Sequence, residues 1–439
     1  MKKRVLLFAR SFLAKYYADI ESSIIEPIYV TLTHEEKVFL EGRGRRVSGC
    51  FEDEYNSLEV ADFPGNYLKT SLKSDRFLCR FSHEKRLEIL GKEITFWRRI
   101  IEKTKPDFLV NETVAVEIAE VMAIEAERKG IPFYTYLLGF LPGTFYWKPD
   151  PFSGRLNNLE GIVPSEKDFE KANLYITNVR EKGVKPFYVS GIKKDNNRFK
   201  SLLYAYRISM QEKRESKIAN LSGRFKYEDY SIFSQIKLDI KKSAFNNNYD
   251  SFENLTNKKV VFFPMHLEPE ATLNYFVEEN YDQDSLIKLL VGCIKNDQIL
   301  VVKEHPQQQG MLLTKRFQDI RKRFSNLVYL PSYISSFDVL KMCETVVTLT
   351  STAAWEALIF GKPVFVLGRI FFDQCPGATR IESIKHLKEE LHKDSYTVPE
   401  SEDITLFAAK MISLFHSGCP TPTYKDNTIK EFVGEREKL

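Results

Sequence analysis

The sequence predicts an α/β protein in which two Rossmann-like domains are separated by a helical insert. Two observations carry this. Short apolar strands alternate with amphipathic helices near the start of the chain and again across its last half, the pattern of parallel sheets. Between them, Ser165 to Lys242 reads as helical and highly charged, without a persistent heptad. A length of 439 residues suits two or three domains, and 43% hydrophobic content is enough for their cores.

The elements follow in chain order. Residues 4–9 and 28–32 read as strands and His34–Leu40 as a helix; Gly42 to Ser57 is polar and reads as a loop. Ser82 to Lys103 has Leu87, Leu90, Ile94, Trp97 and Ile101 at spacings of three and four, one face of a long helix. A βαβ unit follows: strand 106–110, a loop at Asn111–Thr113, a helix from Val114 to Lys129, Gly130 as its stop, and strand 131–136. Leu137 to Asn158 is rich in Gly and Pro among aromatics and reads as an irregular loop beyond a strand end, where open α/β sheets place ligands. Helices are expected at 167–182, 197–221 and 230–242, with a linker at Phe245–Asp250. The second domain has strands at 260–263, 298–303, 326–329, 345–349 and 363–367. Helices are expected at 271–279, 283–295, 312–324, 335–342, 353–360, 382–392 and 403–415. The expected domains are therefore 1–160, the insert and linker 161–250, 251–400, and C-terminal helices in 401–439.

Composition excludes several classes. A formal net charge of +4 is small for this length and argues against a nucleic-acid binder. The apolar run after Lys2-Lys3-Arg4 ends at Arg10, too short for a leader, and no run approaches the roughly 18 residues of a membrane span. Six scattered cysteines lack metal-ligand spacing, so a reduced cytoplasmic protein is expected. The basic helix face Lys315, Arg316, Arg321, Lys322 and Arg323 fits either a peripheral contact with an anionic membrane or a solvated surface. Asp282-Gln283-Asp284 reads as a helix cap rather than a metal pair, so metal-independent chemistry is expected.

Two stretches of the last half carry the most chemistry. In Val301-Val302-Lys303-Glu304-His305-Pro306 a buried strand ends in a Lys and a His two residues apart, which share a face in a strand. An ammonium and an imidazole there suit a phosphate; a solvated Lys303 and a satisfied edge His305 fit the pattern equally. In Thr348-Leu349-Thr350-Ser351-Thr352 a strand runs into a helix start, where unpaired N–H groups and hydroxyls attract anions. Simple N-capping is the other reading. Glu356, one turn on, can bond a ribose diol or answer the helix dipole. His266, in a loop between Pro264 and Pro269, reads as a positioned acid, a phosphate ligand, or a buried structural histidine. In the first domain, Glu112 follows a strand at its carboxyl end. It can serve as general base or nucleophile, or simply as a helix-start charge. Asp150 is a second carboxylate candidate, and Arg10 and Ser11, after the first strand, are candidates for a carboxylate of acceptor or donor.

A strand ending in His305-Pro306, a later strand ending in Ser351-Thr352, then Glu356 and Gly361-Lys362-Pro363-Val364, resembles the donor half of a GT-B glycosyltransferase. More narrowly, the chain resembles the bacterial capsule polysaccharide biosynthesis family, which includes β-Kdo transferases using CMP-Kdo. Phe263-Pro264-Met265-His266-Leu267-Glu268-Pro269-Glu270-Ala271 is similar to that family's loop at the start of the C-terminal domain, with Met265 in place of the usual Leu. The resemblance covers residues 258–380. It implies two domains facing across a cleft, CMP phosphate contacts from His305 and Lys303, a cap from Ser351 and Thr352, the ribose on Glu356, and Glu270 and His266 on the donor side. It also implies transfer of a sugar, most simply Kdo, from a CMP-sugar co-substrate to a surface glycan or glycolipid in capsule or lipopolysaccharide biosynthesis, with no further cofactor. The implied location is the cytoplasm, with peripheral contact at the inner membrane face. Two alternatives are a CDP-glycerol-type polyol-phosphate transferase, although Thr350-Ser351-Thr352 stands where those usually carry Asp-Tyr-Ser-Ser, and a non-catalytic glycan- or nucleotide-binding protein of the same fold.

Overall fold

A computed structural model describes residues 2–20, 25–70, 78, 81–148, 150–156, 159–184, 249–268, 270–279, 282–306, 308, 310 and 315–418. The helices expected at 197–221 and 230–242, most of the linker, and the side chains of Lys315 and Arg316 lie outside them. The described chain divides into two compact units. One takes its residues from 1–152 and 414–418, the other from 153–184 and 249–413. Each is built on one mostly parallel sheet, giving two Rossmann-like folds in a single chain.

The first unit contains β1 (Lys3–Phe8), β2 (Ile25–Thr31), β3 (Val47–Cys50), β4 (Phe108–Val110), β5 (Phe133–Leu138) and β6 (Thr144–Lys148). β1 is an interior strand between β4 and β2, as suits Val5 to Phe8, which are apolar and buried on both faces. Helix His83–Thr104 supplies one cover. Its Trp97 is fully buried, edge-on to Phe8, and donates its indole N–H to the carbonyl of Ile118 at 2.8 Å. Helix Glu117–Arg128 begins later than its apolar stripe suggested, because Val116 is still extended, and Gly130 ends it at φ 65°. Two strands stand where loops were expected. β3 is a four-residue edge strand, too short and too polar to show a period. β6 pairs antiparallel with β5; its aromatic run Phe145-Tyr146-Trp147 has high strand propensity that the neighbouring Gly and Pro residues obscured.

The second unit contains β7 (Lys259–Pro264), β8 (Gln298–Lys303), β9 (Leu327–Leu330), β10 (Thr345–Thr348), β11 (Val364–Val366) and β12 (Ala378–Arg380), in the order β12-β11-β10-β7-β8-β9 and all parallel. Val260 to Phe263 are fully buried, each side chain contributing about 1.5–3 kcal/mol of burial. β12, a three-residue edge strand, had no apolar signal. Helix Glu166–Lys182 belongs to this unit: it packs on Ser401–Ser413, and its Tyr175 hydroxyl receives the indole N–H of buried Trp355 at 3.2 Å. Asp282 caps helix Gln283–Val291, accepting the N–H of Asp284, as its sequence suggested. After Ser413 the chain returns to the first unit, where β13 (His416–Ser417) pairs antiparallel with β6. Among the described residues no helix is long and apolar enough to cross a membrane, and Cys50, Cys293, Cys343 and Cys375 are buried free thiols.

Candidate functional site

All six strands of the second sheet end at one edge, so the segments after β7, β8, β10, β11 and β12 are brought together there by topology. Lys303 closes β8. Its ammonium is buried and donates to the carbonyls of Glu304 and Ser332, both at 3.3 Å. His305, two residues on, is half-buried. The two expected phosphate ligands therefore do not present alike: the lysine sits behind the edge and the histidine at it.

Glu304 carries no signal of its own in the sequence and is the hub of this loop. Its buried carboxylate accepts the hydroxyls of Tyr329 at 2.5 Å and Tyr249 at 2.7 Å and the N–H of Gly310 at 2.8 Å. Burial raises its pKa, against the lowering effect of those three donors and of Lys303. The carboxylate thus fixes both ends of the loop that carries His305.

His266 joins β7 to β10. Its N–H and carbonyl are clamped by the Gln283 carboxamide at 2.8 and 3.1 Å, while its Nε2 accepts the N–H of Thr350 at 3.0 Å and lies 3.4 Å from the Thr348 hydroxyl. Burial, reinforced by nearby His305, lowers its pKa to about 3. A ring that accepts at Nε2 is neutral and holds the turn after β10. In that turn Ser351 N donates to Thr348 Oγ1 at 2.9 Å, and Ser351 Oγ accepts the N–H of Ala353 at 3.3 Å. Thr352 precedes helix Ala353–Ile359 with no side-chain cap, so Ser351 and Thr352 keep half-exposed hydroxyls at the edge. Glu356 is buried one turn in. Glu270 stands half-buried at the start of Ala271–Tyr275, and Thr272 in that helix accepts the Thr350 hydroxyl at 3.2 Å.

The first unit gathers the other candidates by itself. Arg10, buried after β1, lies 3.9 Å from the carboxylate of Glu112, which follows β4 and is a quarter exposed. Ser11 adopts φ 51°, and its N–H is held by buried Glu36, which also takes the N–H groups of Leu32 and Thr33. Asp150 accepts the N–H of Phe152 at 2.8 Å, a local turn. Two residues that the sequence did not flag complete the group. Asn111 is fully buried, and among the described residues its amide atoms have no hydrogen-bond partner. Lys148, the last residue of β6, is fully buried and donates to Thr113 Oγ1 at 2.9 Å. Burial brings its pKa down to about 7, against the pull of Asp150 and Glu112. Tyr17 and Tyr136, both raised chiefly by burial, lie within electrostatic reach of Glu112 and Arg10. A carboxylate and a neutral-range amine at one strand edge are groups suited to moving a proton, and the Asn111 amide beside them can donate or accept a hydrogen bond.

Residues 163–418 match the model of the family described as capsule polysaccharide biosynthesis protein. The chain belongs to that family. No curated protein matches it. Among solved structures it is similar to two from Thermosulfurimonas dismutans. The KpsC beta Kdo 2,4 transferase is 12% identical, with 69% of this chain and 79% of that one covered and a TM-score of 0.40. The KpsC beta Kdo 2,7 transferase is 16% identical, with 99% and 100% covered and a TM-score of 0.38. The Neisseria meningitidis UDP-GlcNAc 2-epimerase bound to UDP-GlcNAc is 13% identical over 100% of both chains, with a TM-score of 0.24. Within this capsule polysaccharide biosynthesis protein the family match includes His266, Glu270, Lys303, His305, Ser351, Thr352 and Glu356, whereas Arg10, Ser11, Glu112, Lys148 and Asp150 precede it.

Proposed function

We propose that this capsule polysaccharide biosynthesis protein is a glycosyltransferase that moves a sugar, Kdo, from a CMP-activated donor to a bacterial surface glycan or glycolipid. The observation that carries the reading is the meeting of the His305 loop and the Thr350–Thr352 turn at one sheet edge inside the family-matched region. In this reading His305 and the Ser351 and Thr352 hydroxyls take the CMP phosphate, Lys303 adds charge from behind, Glu356 takes the ribose, and Glu270 borders the donor. His266 acts as a positioning residue, holding the Thr350 turn, in place of the proton donor that its sequence context also allowed. Glu112 is the leading carboxylate for the acceptor hydroxyl, because a lysine and an arginine act on it; Asp150 is the second. The resemblance of the His305-Pro306 and Ser351-Thr352 motifs to those of β-Kdo transferases motivates the choice of sugar to test.

The experiment is thermal unfolding with added nucleotides, followed by a transfer assay. CMP and CMP-Kdo are expected to raise the midpoint, as any ligand selective for the folded state does. Protection by UDP alone sinks the donor assignment, and transfer from CDP-glycerol in place of CMP-Kdo moves the chain to the polyol-phosphate class.

A further inference from the structure

We infer that Asn111, Thr135 and Lys148 form a row that binds the hydroxyl groups of a neutral sugar at the carboxyl end of the first sheet. Asn111 directly follows β4, and its N–H donates to Tyr134 O at 3.1 Å. That bond extends the register in which Val110 stands beside Tyr134, so Asn111 stands beside Thr135. Thr135 in turn pairs with Lys148 of β6. Residues paired across strands share a face, with neighbouring strands roughly 4.8 Å apart. Their chain neighbours Val110, Tyr136 and Trp147 point the other way, into the apolar core on the opposite face. One polar strip thus crosses three strand ends.

All three side chains are fully buried. Among the described residues, both amide atoms of Asn111 and the hydroxyl of Thr135 lack hydrogen-bond partners. Buried polar groups are nearly always paired, because an unmade bond forfeits hydration without return. Unmade bonds at two neighbouring positions therefore mark a place whose partner arrives from outside. The surrounding charges select that partner's chemistry. Glu112 and Asp150 both act on Lys148, which disfavours an anion, while the charges of Lys148 and Arg10 disfavour a cation. A hydroxyl is neutral and both donates and accepts, as the amide and the threonine hydroxyl do. Lys148 reaches Thr113 Oγ1 at 2.9 Å, so the segment after Asn111 lies over the row and must lift to admit a sugar. That segment carries Glu112. On the glycosyltransferase reading the sugar is the acceptor, seated beside the carboxylate expected to act on its reacting hydroxyl; the binding itself does not depend on that reading.

The test is saturation-transfer NMR on the full chain with the methyl glycosides of glucose, galactose and N-acetylglucosamine as probes, paired with urea unfolding in the absence of sugar. Wild type is expected to bind at least one of the three. Thr135→Val and Asn111→Leu keep the side-chain size while removing the polar atoms. Each is expected to weaken sugar binding about fivefold or more, the scale of a lost hydrogen bond. Its urea midpoint is expected to stay level or rise, because the unliganded protein loses an unmade bond and no made one. Lower midpoints with unchanged sugar binding would identify a structural water position and overturn the proposal, as would no binding of any glycoside by wild type. CMP protection measured on the same samples separates the two readings: sugar binding without it fells the donor assignment and leaves the row standing. Either variant alone decides if the other does not fold.

Discussion

His266 Nε2 accepts the backbone N–H of Thr350 at 3.0 Å, joining the loop after β7 to the turn after β10. This bond exists only for the neutral ring. The folded-state pKa is about 3, while the unfolded chain takes up its proton near 6.5. As pH falls from 6.5 towards 3 the unfolded state therefore binds more protons and stability drops, by up to about 1.4 kcal/mol per pH unit. Denaturant unfolding between pH 7 and pH 4 should show this acid slope in the wild type and lose it in His266→Gln. An equal slope in the variant removes His266 from the account.

Lys148 gives a second window of the same sign at higher pH. Its folded pKa of about 7 lies below the unfolded value of about 10.4, so between those values the unfolded chain holds the extra proton and stability rises with pH. Lys148→Met should flatten that rise and stabilise the protein at pH 7 by roughly 1–4 kcal/mol. Transfer activity, if Glu112 is the working carboxylate, should fall and its pH profile should lose the limb near 7.

The Glu304 hub predicts a graded series. Glu304→Ala strands two tyrosine hydroxyls and a backbone N–H, a cost of about 3 kcal/mol or more. Glu304→Gln keeps one acceptor and should cost less, and Tyr249→Phe about 1 kcal/mol. Urea midpoints that do not follow this order contradict the hub.

Gly368 packs its backbone against Leu349 and Thr350 so closely that a Cβ would overlap both. Gly368→Ala should cost about 1–3 kcal/mol by overpacking and should weaken CMP protection as well, because the displaced neighbour is the hydroxyl-bearing turn. A variant with full stability and full CMP protection would show that the turn is not part of the nucleotide site.

Glu112→Gln should leave CMP protection intact and lower transfer by about a hundredfold or more, the usual scale for a lost acid–base group. Asp150→Asn preserves the turn to Phe152 and separates the two carboxylates: the one whose loss abolishes turnover is the catalytic one.

Much of this was legible in the residues. β1, β4, β7, β8 and β10 announce themselves because they are covered on both faces and so read as unbroken apolar runs. Lys303, His305, Ser351 and Thr352 were legible because short-range grammar, a strand then a turn, puts them at strand ends. β3 and β12 were not, since edge strands of three or four residues carry no period. Glu304 and Lys148 were hidden for a different reason. Each acquires its character from residues far along the chain: Glu304 from Tyr249 and Lys148 from Thr113. Local sequence shows a charged residue beside a strand; only the fold decides whether water or protein surrounds it.

β13 also bears on how the protein is made. Among the described residues, the sheet of the first unit has β6 as an open edge until His416 and Ser417 pair with it. A ribosome emitting about 5–20 residues per second must deliver the whole second unit before those two residues emerge, a delay of tens of seconds. During that interval the nascent chain displays an unpaired, aromatic-rich strand, the kind of surface that recruits a chaperone or a neighbouring polysome product. Heavy aggregation of chains stopped before Leu414, relieved by supplying the tail, would be the cellular trace of that late closure.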